Sequence, residues 1–135
     1  MFKTVSKVIQ STIQQPKKHV SKFKTDFTFE QRKAETERII AKYPDRIPVI
    51  CERHISNTSS PDIDKTKYLV PMDLSVGQFL FIIRRRLMIT SEQALYLFVN
   101  GSIPPTTESM HNIYEFNKDT DGYLYMEYAT EATFG

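Results

Sequence analysis

Lys67-Tyr68-Leu69-Val70-Pro71 and, after three intervening residues, Ser75-Val76-Gly77-Gln78-Phe79-Leu80-Phe81-Ile82-Ile83-Arg84-Arg85-Arg86-Leu87 together decide the fold. The first piece reads as a short strand. Lys67 and Leu69 point one way and Tyr68 and Val70 the other, because side chains alternate along a strand. Pro71 closes it, and a proline there favours the edge of a sheet. The second piece reads as the strongest helix of the chain, over residues 76–88. Ser75-x-x-Gln78 is a capping box, in which each side chain satisfies a backbone N–H of the first turn. Behind it Val76, Phe79, Leu80, Ile83 and Leu87 recur at helical spacing. Arg84, Arg85 and Arg86 fall at its C-terminal end, where cations suit the helix dipole.

Working outward toward the N-terminus, Arg46-Ile47-Pro48-Val49-Ile50-Cys51 reads as a strand with Ile47, Val49 and Cys51 on one face. Before it, Thr28-x-x-Gln31 is a second capping box opening a helix over 29–42, with Ile39 and Ile40 among its inward residues. Pro44 stops that helix, since the residue before a proline avoids helical dihedrals. Toward the C-terminus, residues 95–99 read as a strand followed by the turn signal Asn100-Gly101. Residues 107–112 read as one helical turn. Asp121-Gly122 opens a last strand over 123–128, and residues 56–66 form a polar loop. From residue 46 the order is strand, strand, helix, strand, turn, strand. This is an α+β class chain with a β-grasp pattern: one helix packed across a mixed four-stranded sheet, with further helix in front of it.

Composition narrows the function classes. The 135 residues suit one domain with a short appendage, and 40% hydrophobic residues, nine Phe and seven Tyr among them, suffice for a core. No apolar run approaches the ~20 residues of a membrane span. The lone Cys51 excludes an internal disulfide, which fits a reducing compartment. The net charge of +2 conceals a split. Residues 1–25 hold six lysines and no acid, whereas the remainder carries 12 Lys+Arg against 16 Asp+Glu, a net of −4. Residues 1–21 therefore form a basic N-terminal extension to a domain over 22–135. Phe2, Val5, Ile9 and Ile13 give the extension amphipathic spacing up to Pro16. Three readings stay open for it: a disordered tail, a membrane-surface helix, or an organelle transit peptide.

Enzyme chemistry finds little support. The four glycines, Gly77, Gly101, Gly122 and Gly135, are too scattered for a phosphate loop or dinucleotide fingerprint. Cys51 and His54 form a C-x-x-H without a second ligand pair, so no metal site is expected. Cys51 belongs on an inward strand face, where a thiol is inert, and no catalytic residue is assigned. The arginine run lies in a domain that is acidic overall and lacks interleaved exposed aromatics, so no nucleic-acid partner is expected. The C-terminal pair Phe134-Gly135 is different. Glycine has no Cβ and few forbidden dihedrals, so such a terminus can thread a narrow channel and serve as an acyl donor.

Several stretches together resemble the GABARAP-type autophagy modifiers. They are Lys42-Tyr43-Pro44-Asp45-Arg46-Ile47-Pro48-Val49-Ile50, Lys67-Tyr68-Leu69-Val70-Pro71, Val76-Gly77-Gln78-Phe79, Phe98-Val99-Asn100 with Ile103-Pro104-Pro105, and Phe134-Gly135. The resemblance covers about residues 22–135 and implies a ubiquitin-like fold with two extra N-terminal helices. It implies a protein tag, itself not an enzyme. Gly135 would be adenylated, passed as a thioester through activating and conjugating enzymes, and joined by an amide to phosphatidylethanolamine, with no other cofactor. Phe134 would be the penultimate residue read by those enzymes and by a delipidating cysteine protease. A two-chain phospholipid anchors firmly, at ~0.8 kcal/mol per buried CH₂. The protein would thus be cytoplasmic, and on the autophagosome membrane when lipidated.

The resemblance also implies binding of receptor peptides with an aromatic-x-x-aliphatic motif, added as a strand to the sheet edge. The aromatic pocket would comprise Glu35, Ile39, Pro48, Lys67, Leu69 and Tyr123. The aliphatic pocket would comprise Tyr68, Val70, Pro71, Leu74, Phe79 and Ile82. Arg46 and Arg86 match positions contacting polar or acidic ligand groups. Two buried anchors plus main-chain bonds, less ordering costs, suit an affinity of about −8 kcal/mol. Three features depart from the family. Nothing follows Gly135, position 123 is Tyr where Phe is common, and residues 1–20 have no counterpart. The alternative is a non-conjugated peptide-binding adaptor, using the same edge groove with a basic membrane- or cytoskeleton-binding arm.

Overall fold

The computed structural model describes residues 20–55 and 60–130. In chain order its elements are α1 (Lys22–Asp26), α2 (Phe29–Lys42), β1 (Arg46–Arg53), β2 (Lys67–Pro71), α3 (Val76–Leu87), β3 (Leu95–Phe98), α4 (Met110–Asn117) and β4 (Leu124–Thr130). The strands form one four-stranded sheet in the order β2-β1-β4-β3. β1 pairs antiparallel with β2, with Pro48 opposite Leu69, and parallel with β4, with Cys51 opposite Met126. β3 and β4 are antiparallel, with Leu95 opposite Thr130. The parallel pair at the centre is buried on both faces, as such pairs generally are, and Ile47–Glu52 of β1 are all buried.

Two cores form because β1 and β4 present apolar residues to both sides. On one face Ile47, Val49 and Cys51 meet Phe79, Ile83 and Leu87 of α3 and Met110 and Ile113 of α4. On the other, Ile50, Tyr123 and Phe23 pack together beneath α1, with Tyr125 partly buried against them. Both expected capping boxes are present: Thr28 accepts from the Gln31 amide at 3.1 Å and Ser75 from the Gln78 amide at 3.1 Å, each reciprocated by the glutamine.

The helix expected as one turn over 107–112 is instead the eight-residue α4, starting later and running to Asn117. Ser109 caps it through the Asn112 amide, and Met110 N–H donates to Leu74 O at 2.7 Å. That second bond comes from a segment thirty-six residues away, which local spacing does not reveal. β1 and β4 each run two residues beyond the ends expected from the sequence: Glu52 and Arg53 lie opposite Glu127 and Tyr128 of β4, and Ala129 and Thr130 lie opposite Tyr96 and Leu95 of β3. Gly122 adopts φ +95°, and a Cβ there would collide with the Thr36 side chain, so the turn into β4 requires glycine.

Candidate peptide-docking edge and C-terminal tail

β2 ends the sheet, paired to β1 alone among the described strands. An unpaired strand edge offers backbone groups to an added strand. Its alternation sends Tyr68 and Val70 into the core beside α3, where the Tyr68 ring meets Phe79 edge-on at 5.5 Å. Lys67 and Leu69 take the opposite side, toward α2. Lys67 Nζ bridges to Glu35 Oε1 at 2.8 Å and lies 5.6 Å from the Phe23 ring. Glu35 and Ile39 are one helical turn apart on α2 and share a face.

The candidate aromatic-pocket residues gather around that bridge. Pro48 is buried opposite Leu69, Ile39 is half-buried, and Tyr123 has no exposed surface. The Tyr123 hydroxyl donates to Glu35 Oε1 in a short contact. Burial would raise the Glu35 pKa, but the Lys67 ammonium and the Tyr123 hydroxyl outweigh it and hold the carboxyl below its ordinary 4.5. Burial, then the bonded carboxylate, pushes the Tyr123 phenol far upward, so it stays a donor. A cleft of about 380 Å³ opens nearby, lined by Phe23, Phe27, Arg32, Glu35, Arg38 and Lys67 among others. It shares Glu35 and Lys67 with the expected pocket and lies against α1 and α2, while Pro48, Leu69 and Tyr123 are not among its lining residues. Pro48 and Tyr123 are buried beneath the surface, and Leu69 is half-buried.

Phe23 is the residue that sequence reading missed. It covers Tyr123 edge-on at 5.1 Å, and its amide donates to the buried Glu52 carboxylate at 3.0 Å. Lys24 Nζ fastens the same short helix to Asp119 at 2.7 Å and lies 4.5 Å over the Tyr125 ring. A five-residue helix has too weak a local signal to be read alone. Its cap, Ser21, accepting from Lys24 N–H, was the available clue.

Of the candidate aliphatic-pocket residues, Tyr68, Val70 and Phe79 lie in the core, Phe79 with no exposed surface. Leu74 and Ile82 are half-buried against it, and Pro71 is exposed, so these three supply the surface over a floor of the others. Arg46 is exposed at the start of β1, and Arg86 donates to Asp64 at 3.2 Å. The remaining candidates, Phe134 and Gly135, and the basic extension up to residue 19 lie outside the described residues. Cys51 is wholly buried, and burial pushes its thiol far above the ordinary range. Among the described residues no cluster of His, Cys, Asp and Glu has metal-binding spacing. None of the described helices is long and apolar enough to cross a membrane.

A helix laid across a mixed sheet of this order, with a free β2 edge, defines the β-grasp of ubiquitin-like proteins. The family model described as "Autophagy protein Atg8 ubiquitin like" matches residues 31–135. Autophagy-related protein 8 of Kluyveromyces marxianus is 55% identical over 115 residues, 85% of this chain and 92% of that protein. The Emericella nidulans protein of the same name is 55% identical over 85% of this chain and 97% of its own. The crystal structure of Trypanosoma brucei ATG8 superposes with a TM-score of 0.81 at 41% identity, covering 87% of this chain and all of that one. The chain belongs to the Atg8 family of ubiquitin-like autophagy modifiers.

Proposed function

We propose that this protein is conjugated through Gly135 to phosphatidylethanolamine. ATP-dependent activating and conjugating enzymes would perform the transfer, and a cysteine protease that reads Phe134-Gly135 would reverse it. The protein is then a substrate of enzymes rather than one itself, cytoplasmic until lipidated and on the autophagosome membrane afterwards. There its β2 edge recruits receptors bearing aromatic-x-x-aliphatic motifs. The reading is carried by the family match running to residue 135, which includes Phe134-Gly135, four and five residues beyond Thr130 at the end of β4. The receptor half of the reading is supported by the unpaired β2 edge, with Lys67 and Leu69 on one side and, on the other, half-buried Leu74 and Ile82 over buried Val70.

The experiment is a reconstitution with ATP, activating and conjugating enzymes and phosphatidylethanolamine vesicles, read by intact mass. A lipid-sized gain that requires ATP and disappears in Gly135→Ala is expected. The absence of an adduct, with the enzymes shown active on another modifier, would overturn conjugation and leave the peptide-binding adaptor as the function.

A further inference from the structure

We infer that the outer face of α3, marked by Phe81, Arg85 and Met88, is a lipid-contacting surface on which the domain rests when its tail is anchored. The inference rests on the reading of Gly135 as the lipid-bearing residue. The inward face of α3 is occupied by Val76, Phe79, Ile83 and Leu87. The residues at 81, 85 and 88 follow the same helical period on the opposite side, and there Phe81 is 57% and Met88 89% exposed. The Arg85 guanidinium lies 5.8 Å from the Phe81 ring. Exposed apolar side chains flanked by cations are the pattern of an interfacial helix face, with aromatic and aliphatic groups entering the headgroup boundary beside basic ones.

The fold carries this face toward the membrane end of the molecule. β4 ends at Thr130, opposite Leu95, and only residues 88–94 separate the end of α3 from that position. Arg84 Nη1 draws the connection back onto the helix by donating to Thr90 O at 2.9 Å and Gln93 O at 2.7 Å. Exposed Ile55 follows β1 at the same end, since β1 and β4 are parallel. Gly135 is the fifth residue after Thr130, a span of at most about 17 Å when extended. A lipid on Gly135 therefore holds this end within about 17 Å of the bilayer, close enough for α3 to settle on it.

Charge selects the surface. Residues 84–95 contain three arginines and one acid, Glu92. Arg86 is bridged to Asp64, while Arg84 bonds neutral carbonyls and Arg85 faces a ring. Anionic lipid headgroups complement that surplus. Met88 supplies a further sign: it ends α3 in the left-handed conformation, φ 58°, where glycine is ordinarily found, and projects an apolar side chain into solvent. Departures from local rules of this kind are expected where a residue serves a surface rather than the fold.

The chain contains no tryptophan, so one introduced residue reports its own surroundings. Full-length Gly135→Cys is coupled to maleimide-phosphatidylethanolamine in vesicles, with buried Cys51 unreactive, so anchoring needs no conjugating enzyme. The reporters are Met88→Trp and, as a control, Phe116→Trp. Phe116 is exposed near the start of β4, about 20 Å of strand away from Thr130. On phosphatidylserine-containing vesicles, Met88→Trp emission is expected to shift to the blue and be quenched by brominated acyl chains. Phe116→Trp stays at its solvent value, and adding Arg85→Glu to the Met88→Trp chain reduces the shift. An unshifted Met88→Trp on anchored protein, or equal shifts at both positions, would overturn the inference and leave the face to a protein partner. Because anchoring is chemical, that failure is separate from a failure of Gly135 to be conjugated by enzymes.

Discussion

Tyr123 and Asp121 show how single side chains fix α2 against the sheet beside β2. The Tyr123 hydroxyl and Lys67 both hold the Glu35 carboxylate, so the bridge across the mouth of the expected aromatic pocket has three members. Tyr123→Phe is expected to cost about 1 kcal/mol, the usual worth of such a bond, and to raise the Glu35 pKa toward 4.5. The folded-state pKa of Glu35 is depressed. Its contribution is thus fully present above the unfolded value and lost as pH falls through the folded one. Urea unfolding between pH 6 and 3 should show a shallower acid loss in Tyr123→Phe than in wild type, and carboxyl NMR titration should show the raised pKa. Asp121 is the larger lever. Its buried carboxylate pairs with Arg32, and it accepts from Tyr125 Oη at 2.5 Å and from the Tyr123 amide at 2.8 Å. Asp121→Ala leaves Arg32 without its partner and should cost roughly 3 kcal/mol by denaturant unfolding. None of these pairings is visible in the sequence, because residues 32, 35, 121 and 123 meet only through the packing of α2 on the sheet.

Among the elements, α3 and α4 differ in how much of each was legible. α3 carries a reciprocal capping box, an unbroken apolar stripe and basic residues at its end, so local rules alone place it to within a residue. α4 has a cap without the reciprocal partner, and its first turn is held by carbonyls of residues 72 and 74. Its length follows from what it packs on. The left-handed end of α3 is testable on the same footing. Met88→Gly relieves a conformation that costs an L-residue about 1–2 kcal/mol, offset in part by the greater freedom of glycine in the unfolded chain. A net gain of about 0.5–1 kcal/mol is expected by thermal unfolding, together with weaker vesicle contact once the tail is anchored. A gain in both would separate Met88 from the membrane.

For the molecule as a whole, the sheet edge and the tail lie on different parts of one body. β2 closes one side of the sheet, whereas the tail leaves from β4 beside β3 at the other. A peptide added at β2 would therefore leave the tail end free, as the proposed combination of anchoring and receptor binding requires. Lys67→Glu places a carboxylate against Glu35 and should weaken an aromatic-x-x-aliphatic peptide at least about tenfold, or 1.4 kcal/mol, by calorimetry. The mass gain at Gly135 should be unaffected. Loss of both together would mean that the edge and the conjugation surface are one.

The sequence by itself determined the element types, the β-grasp order, the edge position of β2 and the family. The first three rest on spacing, capping and proline placement, which act within a few residues, whereas the family rests on the resemblance of whole stretches such as Lys42–Ile50 and Lys67–Pro71. The tertiary structure alone decided that Phe23 seals the face opposite α3, that Tyr123 and Phe79 are floors rather than exposed walls, and that Glu35, Lys67 and Tyr123 form one bonded group. Each of those joins residues tens of positions apart, and only the burial of two apolar faces on one sheet brings them within hydrogen-bonding distance.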